Sequence, residues 1–295
     1  GLSWRIWVLQ IRYPYQTEQW CQTMKRLGHE YMKVDGNYVH YKSVPLVGTF
    51  VKCYYPLVRL DVDHIKEKLP GIVSVECVSD ESLAGFQNEP NHTVWVNLGQ
   101  NESVILSSFN KTVRNTVRRY IRKEKDSGVS VESDRSSDGF EAFWKILQHT
   151  AQRGEFHCPA RPIVETVFHE ASLSHLFICR HRDKPIAAFM TVHSKDVAYF
   201  YYGGTYADAF STYASYVGHW TIIKHYNELG LKVYDMGGVG YSDRYHFKKG
   251  WGQLVTLYCS RRVVSRAPYA LLGLFRRTQL IRSLYYGLKA KHYGD

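Results

Sequence analysis

Hydrophobic and polar positions along this chain change period several times, and each change predicts an element. Near the start, WRIWVLQ (4–10) reads as a strand, and 17–27 carries the three-to-four spacing of a helix with Thr17 as its cap. Residues 31–56 (YMKVDGNYVHYKSVPLVGTFVKCYYP) then alternate apolar and polar around Asp35-Gly36, the signature of a hairpin. A helix over 61–69 stops at Pro70, and GIVSVECV reads as another strand. This strand-rich first portion, 1–85, is predicted to be a lobe of its own.

The second portion, 86–265, opens with the strand HTVWVNL (92–98). Ser107 or Ser108 then introduces a helix to about Asp126, closed by Gly128. On it Phe109, Val113, Val117, Tyr120 and Glu124 follow one helical stripe, and Arg114, Arg118, Arg122 and Lys125 form an adjoining basic one. A helix over 138–153 and a shorter one near 163–171 lead into three strands, LFICRH, KPIAAFMTVH and DVAYFYYGG, whose succession predicts an antiparallel meander. A helix over 214–229 returns the chain to the strand KVYDM. The last thirty residues, 266–295, form one or two basic amphipathic helices, which pack on their own domain or lie on an anionic membrane.

Strand-like runs between 197 and 252 empty into glycines: VAYFYYGG, VYDMGGVG and HFKKGWG. Glycine permits positive φ and close approach of a ligand to the main chain, so Gly203, Gly204, Gly237, Gly238 and Gly240 are expected to make sharp turns where strands end. In open α/β sheets that edge is where ligands commonly bind.

Composition sharpens this picture in one respect. At 44% hydrophobic and 22% charged the chain is ordinary for a soluble protein, but 38 Lys and Arg against 27 Asp and Glu leave a net charge of +11. Such an excess favours a polyanionic partner such as tRNA, a pyrophosphate-linked substrate or an anionic membrane face, beside the plain reading of a solubilising surface. The six cysteines are scattered without a C-x-x-C pair and read as reduced thiols of a cytoplasmic protein, with Cys179 buried. His157 and Cys158 lack partners at zinc-ligand spacing, and no structural metal is expected. The apolar amino end is too short to span a bilayer, and no later run reaches about 18 apolar residues.

YDMGGVG followed by HFKKGWG resembles the closing signature of the Fem family of aminoacyltransferases, and LSSFNKTVRNTVRRYIRKEKDSGVSV with FWKILQHTAQRGEF resembles that family's helices. The layout also occurs in the wider acetyltransferase-like (GNAT) superfamily. The resemblance covers about 95–262 and implies an α/β (α+β) fold. Its expected form is a mixed sheet flanked by helices, with a reduced amino-terminal GNAT-like lobe and a C-terminal amphipathic helix. It further implies aminoacyl transfer from tRNA to an amine of a peptidoglycan precursor or related acceptor. The expected setting is a cytoplasmic monomer, peripheral at the inner face of the membrane if its acceptor is lipid-linked.

Joining an activated ester to an amine requires alignment of the two, stabilisation of a tetrahedral oxyanion, and management of protons. The resemblance puts Lys248 at the donor's 3′ end, where its charge would face the oxyanion or the terminal ribose and phosphates, and Arg153 on the substrate-phosphate side. Tyr202 would present a hydroxyl to the acceptor, with Tyr201, Gly203, Gly237 and Gly238 beside it. Asp235 would accept a proton or cap the Gly237-Gly238 turn. Phe247 and Trp251 would stack on the terminal adenine or pack in the core, while Lys249, Arg114, Arg118 and Arg122 would meet tRNA phosphates.

The rival donor is coenzyme A, which needs a pyrophosphate cradle of the Gln/Arg-x-x-Gly-x-Gly/Ala kind; GGTYADAFSTYASYVGHW has neither the basic residue nor the glycine spacing, so CoA is disfavoured. A noncatalytic basic nucleic-acid-binding module is the remaining alternative.

Overall fold

In the computed structural model the described residues are 11–45, 47–154, 158–239 and 243–265, with no side-chain description for 123–127 and 243–245. The expected strand at 4–10, the tail 266–295, His157 and Gly240 lie outside them.

The described residues divide into two compact units, one of residues 11–23 and 91–257, the other of 24–90 and 258–265. This partition differs from a linear division at residue 85, because the amino-terminal segment groups with the later portion and the strand after 257 groups with the earlier one.

The smaller unit carries β1 (Glu30–Val34), β2 (Asn37–Val44), β3 (Gly48–Tyr54), α2 (Val62–Lys68) and β4 (Ile72–Ser79), together with the second half of β11 (Gln253–Val263). α1 (Glu18–Lys25) begins in the larger unit, with the amide of Trp20 donating to Thr17 Oγ1 at 3.3 Å as the predicted cap. The β1–β2 hairpin turns at Asp35 (φ 51°) and Gly36 (φ 87°), the left-handed pair that matches the twist of the flanking strands. Asp61 caps α2 by accepting from the amides of Asp63 and His64. β3 and β4 pair in parallel, and Val39, Val51, Ile65 and Val75 fill the core between sheet and helix.

In the larger unit, β5 (Gln87–Asn97) is followed by α3 (Glu102–Ser108), α4 (Lys111–Ser127), β6 (Val129–Ser133), α5 (Ser137–Arg153) and α6 (Arg161–His169). Then come β7 (Ser174–His181), β8 (Lys184–His193), β9 (Val197–Thr205), a 3-10 turn (Ala207–Thr212), α7 (Ala214–Glu228), β10 (Val233–Gly238) and α8 (Asp243–Lys248). The strands lie in the order β5-β10-β9-β8-β7-β6, with β10 parallel to β9 and antiparallel to β5. A mixed sheet flanked by helices is thus the observed architecture, and β7–β8–β9 is the expected meander.

Two helix expectations change. The helix expected from 107 or 108 is two helices, because Ser107 and Ser108 end α3 and the chain breaks at Phe109 before Asn110 caps α4 through the amide of Val113 at 2.9 Å. HFKKGWG is not the strand-like run expected either, since its first three residues complete α8.

Close packing accounts for most of the glycines of this unit. Gly203 and Gly204 sit inside β9 without positive φ, so they are not the sharp turns expected of them; a Cβ at Gly204 would strike Thr150 of α5, and one at Gly203 the carbonyl of Ala188. Of the five glycines expected to turn, only Gly237, at φ 72°, takes that conformation among the described residues. Gly252 presses on the backbone of Trp95 in β5, where a Cβ would overlap the carbonyl oxygen. Gly252→Ala is therefore expected to destabilise the protein by about 1–3 kcal/mol, read as a lower urea midpoint with an unchanged slope.

Candidate active site

Parallel pairing of β9 with β10 runs only through Val197–Val233, Ala198–Tyr234 and Tyr199–Asp235. Beyond it β9 continues to Thr205 and β10 to Gly238, so the two strands part. A bulge adds to the divergence: Met190 of β8 pairs with Tyr202 and Thr191 with Phe200, leaving Tyr201 between them. Asp235, Lys248, Tyr201, Tyr202 and Gly237, of the residues expected at the site, lie around this parting.

Asp235 is fully buried at its base. A carboxylate out of water needs donors, and this one has four: the Tyr13 hydroxyl at 2.6 Å, the Trp95 indole at 3.1 Å, the Gly237 amide at 2.7 Å and the Thr93 hydroxyl. Burial raises its pKa, opposed by those hydrogen bonds. Of its two expected roles, capping of the Gly237 turn is the one this geometry makes; a proton acceptor for an attacking amine is not, because the carboxylate is enclosed and already saturated.

Tyr13 was not singled out from the sequence, yet it draws the amino-terminal segment onto the sheet. Its ring lies 6.3 Å from Trp95 and 6.5 Å from Tyr199. Tyr15 stands 5.6 Å from Tyr199, and Trp20 stands 5.8 Å from Tyr201, whose ring is 4.4 Å from Tyr202. An aromatic wall thereby lines one face of β9. The only sequence signal for it is the density of aromatics in YPYQTEQW.

Lys248 approaches the tip of β10 from the other face. It is 9% exposed, and its Nζ donates to the carbonyls of Met236 at 2.7 Å and Gly238 at 2.9 Å, with that of Gly237 at 3.5 Å. The ammonium also lies 5.3 Å from the centre of the Phe200 ring. The lysine thus places a desolvated positive charge in the parting of the strands while holding the strand end in shape. An Ala there would remove both, so the fold around Gly237 depends on Lys248 as well.

His219 lies beneath it, with Nδ1 2.9 Å from the Tyr234 hydroxyl. Burial and the nearby Lys248 push its pKa down to about 3.

The remaining expected residues scatter. Arg153 is exposed at the end of α5, donates to Thr205 O at 2.9 Å and covers the Phe210 ring at 4.8 Å. Trp251 is fully buried against Phe109, Tyr216, His219 and Phe247, so of its two expected roles it has the core packing, and the buried indole leaves no face for an adenine. Phe247 is half-buried beside it and Lys249 is exposed. On α4, Arg118 and Arg122 are exposed, whereas Arg114 is half-buried and donates to the carbonyls of Ser107 and Phe109 at 3.1 Å each, closing the end of α3. Arg114 is thus a helix cap, which occupies the guanidinium expected to meet tRNA.

Two outcomes are expected here. Lys248→Met should cost about 3 kcal/mol of stability by leaving buried carbonyls without their donor, read as a lower urea midpoint. The second concerns pH. Because the folded pKa of His219 lies below its ordinary 6.5, the unfolded chain takes up the proton first, so stability is lost as pH falls below about 6.5 toward 3, by at most about 1.4 kcal/mol per unit for this one group. His219→Phe should flatten the dependence of the denaturation midpoint on pH across that window.

Residues 111–249 match the family model described as acetyltransferase (GNAT) domain. Among solved structures, FemX is similar at 16% identity and a TM-score of 0.69, over 90% of this chain and 96% of that one. The C-terminal domain of a putative lysylphosphatidylglycerol synthetase from Agrobacterium fabrum is similar at 14% identity and a TM-score of 0.56, over 87% of this chain and 91% of that one. L-PGS from Bacillus licheniformis is similar at 11% identity and a TM-score of 0.53, over 85% and 90%. At these identities the likeness is one of fold, and no curated protein matches the chain. The chain therefore has the acetyltransferase-like (GNAT) fold, and the GNAT domain that it carries over 111–249 supports an acyltransferase.

Proposed function

We propose that this acyltransferase takes its acyl group from aminoacyl-tRNA and passes it to an amine of a peptide, in the manner the Fem resemblance implies. The observation that carries the reading is the connection from β9 to α7. Coenzyme A would need its pyrophosphate held there by a glycine-rich turn and the first amides of a helix. That stretch instead folds as the 3-10 turn Ala207–Thr212, with Asp208 in its first turn, and residues 205–223 contain no Lys or Arg.

Cations are offered elsewhere, at Arg153 and on the exposed face of α4 by Arg118 and Arg122. These suit the phosphates of an extended polyanion better than a single pyrophosphate. In the reaction the acceptor amine attacks the ester carbonyl, a C–N bond forms and the C–O bond to the ribose breaks. The amine proton ends on the departing ribose oxygen. Lys248 supplies the positive field for the oxyanion, and Tyr201 and Tyr202 of β9 are offered to the acceptor from the aromatic wall on the other face.

Transfer of label from a mixed pool of charged tRNAs to a murein-precursor pentapeptide, run beside labelled acetyl-CoA, tests this directly. Label is expected from tRNA; label from acetyl-CoA alone would sink the reading in favour of an ordinary N-acyltransferase. Arg118→Gln with Arg122→Gln should weaken tRNA binding and lower the slope of log K against log salt by about 1 per lost phosphate contact.

A further inference from the structure

The 3-10 turn that replaces a pyrophosphate cradle exposes two large aromatic side chains. Phe210 is 57% and Tyr213 43% accessible. Tyr213 also holds a left-handed backbone at φ 58°, uncommon for a residue with a side chain, and so stands where α7 begins. From it a line of rings runs inward: Tyr213 to Tyr216 at 6.2 Å, then Tyr216 to Phe247 at 5.1 Å. Phe247 precedes Lys248, whose ammonium sits in the parting of β9 and β10. At the outer end Arg153 lies over Phe210.

We infer that Phe210 and Tyr213, continued by Tyr216, form a stacking platform for unpaired bases of a single-stranded RNA 3′ end. This inference rests on the RNA donor proposed above. Flat faces stack on any base without reading its sequence, and Arg153 beside Phe210 offers a cation to the backbone. A membrane is disfavoured as the occupant. An anionic bilayer is engaged by elements rich in Lys and Arg around their apolar residues, and residues 205–223 have none.

The test uses the full chain and three variants: Phe210→Ala, Phe210→Leu and Tyr213→Gly. Leucine keeps apolar bulk but removes the flat face, and glycine suits the left-handed backbone, so the fold is kept in both. The probe is a short single-stranded RNA ending in CCA, with binding followed by anisotropy. Each variant should bind on the order of tenfold more weakly, with Phe210→Leu as impaired as Phe210→Ala. Equal binding by wild type and variants overturns the platform. So does Phe210→Leu binding like wild type, which would mean apolar burial and not stacking. Unchanged RNA binding with lost sedimentation on phosphatidylglycerol vesicles would also overturn it, and assign the patch to a membrane.

The donor reading fails separately. If wild type moves no label from charged tRNA while RNA binding still depends on Phe210, the platform stands and the donor assignment falls. If transfer occurs and the KM for charged tRNA is unchanged in the variants, the platform alone falls.

Discussion

A buried carboxylate organises the larger unit. Asp235 sits at the last point where β9 and β10 pair, and its donors come from the amino-terminal segment, from β5 and from β10 itself. Taking a carboxylate out of water is costly unless it is hydrogen-bonded, and removing any one donor from such a group costs more than an average hydrogen bond contributes. The constraint therefore acts on three stretches of chain at once. It fixes Tyr13 over the sheet, it turns the backbone at Gly237, and it ends the parallel register at Tyr199.

The lysine on the opposite side completes what the aspartate begins. Asp235 faces Tyr13 and Tyr199, and Lys248 comes from the side of Phe200 and His219, bonding carbonyls that β10 no longer offers to β9. A strand end that leaves its neighbour has unpaired backbone groups. Here an ammonium takes them, so the same contacts that satisfy the backbone also lodge a positive charge at the parting of the strands. Burial of His219 as the neutral imidazole fits this arrangement, because a second cation beneath Lys248 would be repelled.

Much of this was legible in the sequence, and the failures have identifiable causes. Periodicity and caps gave the Asp35-Gly36 hairpin, the Thr17 cap, the meander and α7, since each is decided by neighbours in the chain. The break at Phe109 escaped notice because that residue fits the apolar stripe of α4 although it ends the previous turn; Asn110 carried the signal. Gly203 and Gly204 were misread because a glycine required by a neighbouring helix looks identical in sequence to one required by a turn. The partnership of Tyr13 with Asp235 spans 222 positions, and no local pattern encodes such a contact.

That last kind of contact also bears on Lys248. Its charge was expected to face the oxyanion or the terminal ribose and phosphates of a donor, and its ammonium is anchored to protein carbonyls. An anchored ammonium cannot turn to follow a moving group, but it need not: an oxyanion is stabilised by charge already oriented before the bond forms. In the proposed reaction, recognition of the rest of the substrate falls to surfaces farther out, where Phe210, Tyr213 and Arg153 lie exposed. A rigid, desolvated cation inside and an adaptable aromatic surface outside is the division of labour expected where a long flexible substrate must deliver one reactive carbonyl to a fixed point.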